Sequence, residues 1–107
     1  MTGEQVDEQL QIQVRNGTEP VEVSLIGDVD VAAETEVVEI LSALAAQEVI
    51  VDLSQVGFLD SSGIRALVIV HRAAQAAGGS LALRRPSSEA AQVLELTRLN
   101  EVIRVVD

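Results

Sequence analysis

The residues of this chain with the clearest chemical potential stand together in the segment Phe58-Leu59-Asp60-Ser61-Ser62-Gly63. A β-branched run precedes it and an apolar helical pattern follows it, so a carboxylate and two hydroxyls fall at a strand-to-helix connection, where ligand sites concentrate. A serine there faces the unpaired N–H groups and the partial positive charge of a helix start, which stabilise a phosphate, and Gly63 keeps Cβ bulk away. Ser61 is therefore a candidate phosphoacceptor. Phosphorylation would add about −1.5 to −2 charges beside Asp60, so the helix start attracts the group while the carboxylate opposes it. The same residues also suit a plainer role, in which Asp60 or Ser61 caps the helix and Gly63 admits tight packing. Both readings stand at this point.

A second pair of carboxylates, Asp28 and Asp30 in Gly27-Asp28-Val29-Asp30, follows the second expected strand and precedes the first expected helix. They would hold a cation or cap that helix. A strand ending Asp-Val-Asp-Val resembles the opening motif of the haloacid dehalogenase-like phosphatases, which implies a nucleophilic Asp28 and bound magnesium. That family also needs a lysine, and this chain has none. The same absence excludes the phosphoaspartate chemistry of a response-regulator receiver.

Other catalytic constellations fail. His71 is the single histidine. It lies ten helical residues, about 15 Å, beyond Ser61, which is too far for proton transfer. It falls instead along the apolar stripe of Ile64, Leu67 and Val68. There is no cysteine and neither a phosphate-binding nor a dinucleotide-binding glycine pattern, so no metal or cofactor site is expected. The reading assigns no catalytic residue.

Composition narrows the partners. Seventeen acidic against seven basic residues give a net charge of −10, which repels a phosphate backbone and argues against nucleic acid. A protein with basic contacts suits this surface better. The longest apolar stretch, Leu67 to Val70, is far short of the roughly 20 residues of a membrane span, and the first nine residues are polar and acidic. With no cysteine to pair, a cytoplasmic address fits.

The elements that must position these residues follow from periodicity. Leu10, Ile12 and Val14 alternate with polar residues, as do Val21, Val23 and Leu25, predicting two half-buried strands joined as an edge hairpin by Asn16, Gly17 and Pro20. Gly27 ends the second strand in this reading. Val37, Val38, Leu41, Leu44 and Ala45 recur at helical spacing within 31–46. Residues 48–53, Glu-Val-Ile-Val-Asp-Leu, read as a central strand covered on both faces. A helix runs from near Ser61 to the Gly78-Gly79 stop, with Arg65, Ile69, Arg72 and Ala76 on one face. Residues 80–85 form a strand, Pro86, Ser87 and Ser88 open a helix through Leu99, and 101–106 close as a strand. At 107 residues this is one α/β domain, 1–107, with a mixed, largely parallel sheet of about five strands and three to four helices.

Two stretches in this order resemble a known family. Asp-Leu-Ser-Gln-Val-Gly-Phe-Leu-Asp-Ser-Ser-Gly-Ile-Arg-Ala-Leu-Val, from Asp52, is similar to the phosphorylation segment of the anti-sigma factor antagonists, which have the STAS fold. Leu-Ile-Gly-Asp-Val-Asp-Val-Ala-Ala-Glu, from Leu25, is similar to their earlier motif, with Asp28 where glutamate is commoner. The resemblance implies that Ser61 is phosphorylated, that Asp28, Asp30, Asp60, Ser62, Gly63 and Arg65 flank it, and that the domain is not an enzyme. It implies an anti-sigma factor as partner, itself a serine kinase using ATP, which the unphosphorylated domain binds to free a sigma factor. A PP2C-type phosphatase would reverse the mark. The arginine-only, alanine-rich helix after Gly63 departs from the pattern. A different class of reading is a STAS scaffold or accessory module without regulated phosphorylation.

Overall fold

Alternation in the first two runs produces the expected hairpin. In the computed structural model, which describes residues 10–107, β1 (Gln11–Arg15) pairs antiparallel with β2 (Val21–Val29) at one sheet edge. Ile12 and Val14 pack toward the core while Gln11, Gln13 and Arg15 stay exposed. The acidic N-terminal stretch 1–9 lies outside the described residues.

The remaining steps are parallel, and each is bridged by a helix, as a parallel crossover requires. The order is α1 (Val31–Ser42), β3 (Glu48–Leu59), α2 (Ser61–Ala77), β4 (Ser80–Arg84), α3 (Ser88–Thr97), a short 3-10 turn (Leu99–Glu101) and β5 (Arg104–Val106). The five strands lie in chain order, so β3 is central. This is the mixed, largely parallel α/β architecture that the periodicity implies.

Several boundaries differ from the sequence reading. β2 does not stop at Gly27 but runs to Val29, and β3 runs to Leu59 instead of Leu53. The cause is a pair of bulges. Between the pairs Ser24↔Asp52 and Ile26↔Gln55, and again between Gly27↔Val56 and Asp28↔Phe58, β3 carries one residue more than β2. Each extra residue stretches the inward period from two to three, so the buried set is Val49, Val51, Leu53, Val56 and Leu59. A Leu-x-x-Val-x-x-Leu spacing hides a strand from a search for alternation.

Nor is β3 covered on both faces. Val49, Val51 and Leu53 are buried, whereas Ile50 and Asp52 are only half-buried. The second face instead carries an ionic ladder: Arg84 reaches Glu22 at 3.4 Å, Arg85 reaches Asp52 at 3.4 Å, and Arg15 reaches Glu22 at 3.5 Å. Burial pushes the Asp52 carboxyl up, but hydrogen bonds from Ser54 and the charges of Arg85 and Arg84 outweigh it and hold the group below its ordinary value.

α1 ends at Ser42, before the expected Ala46, in tight turns where Leu44 and Ala45 donate to the carbonyls three residues back. Gly79 lets this turn pack closely, because a Cβ there would run into the carbonyls of Ala45 and Gln47. α3 likewise ends at Thr97, not Leu99, with Arg98 at φ 59°, and the last strand keeps only three residues of the expected six. The start of α3 is tied down by Ser87, whose N–H donates to Leu53 O and whose hydroxyl donates to Val56 O and accepts from Ala90 N–H. One contiguous apolar cluster joins the inward face of the sheet to Val37 and Leu41 of α1, Leu67 and Val70 of α2 and Leu94 of α3. Among the described residues, no helix is long and apolar enough to cross a membrane.

Candidate functional site

The two bulges set how the central strands end. Val29 and Leu59 are register partners, so β2 and β3 finish side by side, and Asp60 N–H donates to Val29 O at 3.4 Å. The next residue on each strand is an aspartate. Asp30 caps α1, its Oδ1 accepting from Ala32 N–H at 3.1 Å. Asp60 caps α2, its Oδ1 accepting from Ser62 N–H at 2.9 Å and Gly63 N–H at 3.1 Å. The result is a pair of neighbouring helix mouths, each closed by a carboxylate.

Ser61 is the first residue of α2 and is exposed. Ser62, by contrast, is 8 % exposed. Of the two serines only Ser61 presents its hydroxyl to an incoming macromolecule. Gly63 is buried against the strands, where a Cβ would meet a Leu59 methyl, and Val29 O at 2.7 Å. The glycine therefore serves the approach of α2 to β2 and β3, and it does not line the outer mouth. Two of the expected free N–H groups are not free, because Asp60 occupies those of Ser62 and Gly63, so a phosphate on Ser61 gains from a cationic side chain.

A candidate is Arg65, one turn along α2. It makes a bidentate pair with Glu34 on α1, Nε to Oε2 at 2.7 Å and Nη2 to Oε1 at 3.0 Å, joining the two helices across the surface. The hydrogen bond from Arg65 holds the Glu34 carboxyl below its ordinary value, and the reciprocal bond with Glu34 raises Arg65. Within the face of Arg65, Ile69, Arg72 and Ala76, Arg65 is thus paired inside the molecule. Ile69 and Arg72 on the same face remain exposed.

Asp28 is the exposed outer residue near the end of β2, opposite Phe58 of β3. The structure brings Asp28, Asp30, Asp60 and Ser61 to one end of the sheet. It also brings Phe58, to which the sequence reading gave no role. The second bulge, at Gly57, turns this single aromatic residue outward, leaving it 49 % exposed, and Val31 at the start of α1 is 69 % exposed. A lone phenylalanine three residues before the candidate serine was the available signal. Among the described residues, no three His, Cys, Asp or Glu side chains gather as metal ligands.

The sequence model of the STAS domain matches residues 9–107, nearly the whole chain. The chain belongs to the STAS domain family. This STAS domain is 26 % identical, over 98 residues and 90 % of each chain, to the anti-sigma-B factor antagonist of Bacillus subtilis. Its fold is similar to that of the unphosphorylated anti-sigma factor antagonist SpoIIAA, with a TM-score of 0.75 at 24 % identity, covering 91 % of this chain and 89 % of the other. An anti-sigma factor antagonist from Mycobacterium paratuberculosis gives a TM-score of 0.78 at 19 % identity, covering 94 % and 87 %. The phosphorylated form of the Bacillus cell fate determinant SpoIIAA gives 0.68 at 22 % identity, covering 91 % and 92 %.

Proposed function

We propose that this STAS domain is an anti-sigma factor antagonist switched by phosphorylation of Ser61. One observation carries the reading. At the capped mouth of α2, Ser61 is the exposed hydroxyl and Ser62 the buried one. The similarity to antagonists, one of them solved in phosphorylated and unphosphorylated forms, supports it.

Unphosphorylated, the domain binds an anti-sigma factor that is also an ATP-dependent serine kinase, and so releases a sigma factor in the cytoplasm. Phe58 and Val31 supply apolar contact beside the carboxylates Asp28, Asp30 and Asp60. The kinase transfers the γ-phosphoryl group of ATP to Ser61 Oγ. A P–Oγ bond forms, the bond to ADP breaks, and the hydroxyl proton passes to a base on the kinase. The added charge stands among carboxylates and must be desolvated in any complex, which weakens binding. A PP2C-type phosphatase hydrolyses the ester and restores binding. The domain itself catalyses no step.

Intact mass spectrometry of the wild type and Ser61→Ala, after incubation with ATP and lysate of the source organism, tests this. One added phosphoryl group on the wild type alone is expected. Equal gain on both proteins, or a partner captured with no gain even when phosphatase is inhibited, would replace the switch with a scaffold.

A further inference from the structure

Asp60 already occupies the N–H groups of Ser62 and Gly63 at the start of α2. Those two groups are therefore not open to a phosphate at Ser61. The side chain at the fourth residue along a helix lies on the same face, with Cβ atoms about 5–6 Å apart, and here that residue is Arg65. The Arg65 side chain is 60 % exposed, while its present partner Glu34 is 19 % exposed. The charge of Asp60 already reaches Arg65 and favours its protonated form.

We propose that phosphorylation of Ser61 exchanges the partner of Arg65, drawing it from Glu34 on α1 to the phosphate within α2. The proposal rests on Ser61 as the modified residue and adds how the mark is transmitted. A phosphate carries up to two charges and three acceptor oxygens against the single charge of Glu34, and the new pair lies within one helix. Arg65 then partly neutralises the phosphate and leaves Glu34 unpaired. Part of the charge added at Ser61 thus surfaces on α1, and the bidentate link between the two helices opens.

The test uses full chain with phosphoserine installed at 61 during translation, so that no kinase is needed. A failed exchange is then distinguishable from a failed phosphosite, which the mass experiment above decides. Phosphorus NMR follows the second ionisation of the phosphate, and carbon NMR follows the Glu34 carboxyl. The phosphate of the wild type is expected to titrate lower than that of Arg65→Gln by up to about one unit. Glu34→Gln, which removes the competitor, is expected to lower it further. The Glu34 carboxyl of the wild type is expected to rise when Ser61 carries the phosphate. Identical phosphate titration in the wild type and Arg65→Gln would overturn the exchange. So would a lowered phosphate with Glu34 unmoved, since Arg65 would then bridge both groups.

Discussion

Asp30 and Asp60 cap neighbouring helices from nearly the same backbone conformation, φ −119° and ψ −169° for the first, φ −109° and ψ −169° for the second. The equivalence follows from the register, since each aspartate succeeds one member of the pair Val29 and Leu59. The two helix mouths are therefore built alike, and they differ in what comes next: valine on α1, serine on α2.

Removing a cap separates its structural role from its charge. Asp60→Ala is expected to lower stability by about 0.5–2 kcal/mol, whereas Asp60→Asn, which keeps an acceptor, costs much less. Urea denaturation of both variants checks this. A cost for Asn equal to that for Ala would show that the carboxylate charge, rather than the hydrogen bonds to Ser62 and Gly63, does the work.

Gly63 is where α2 meets the two central strands. Gly63→Ala places a methyl against Val29 O and the Leu59 side chain, both on the buried side of the sheet. Overpacking of this kind is expected to cost about 1–3 kcal/mol, read as a lower urea midpoint with an unchanged slope. An unshifted midpoint would mean that α2 moves outward freely.

Phe58 tests the contact surface. Because the ring is half exposed, Phe58→Ala is expected to change the urea midpoint little. Under the proposed function it should weaken binding of the unphosphorylated domain to its anti-sigma factor by tenfold or more, about 1.4 kcal/mol. Calorimetric titration measures both proteins, and equal affinities would remove Phe58 from the interface.

Acid sensitivity has an identifiable source on the ladder face. The folded Asp52 carboxyl lies below its ordinary value, so its contribution to stability is complete above the unfolded carboxylate range and is lost as pH falls through the folded value. Asp52→Asn is therefore expected to flatten the acid limb of stability while altering its neutral portion less steeply with pH. Stability measured by urea from neutral pH down through the carboxylate range would show a parallel curve for Asn if Asp52 were not involved.

Much of the site was legible in the sequence. Asp60, Ser61 and Gly63 announce a helix start by residue type and spacing, and the cap, the exposed hydroxyl and the close approach all appear where those types place them. The far half of β3 was not legible. Its bulges exist only relative to the register of β2, and they replace the two-residue period by Leu53, Val56 and Leu59. Phe58 was missed for the same reason, because which way it faces depends on the residue inserted at Gly57.

Local chemistry thus determined the order of strands and helices, the Gly78 stop, the α/β class and the candidate serine, since caps, turns and periodicity act within a few residues. Tertiary structure alone decided three relations that join distant segments. The side-by-side endings of β2 and β3 depend on strand register, and the close seat of the turn after α1 depends on the missing side chain of Gly79. The pairing of Arg65 with Glu34 spans 31 positions, and no periodicity within either helix requires it. Packing α1 against α2 brings that pair together, and it places Arg65, one turn from Ser61, under the control of a neighbouring helix.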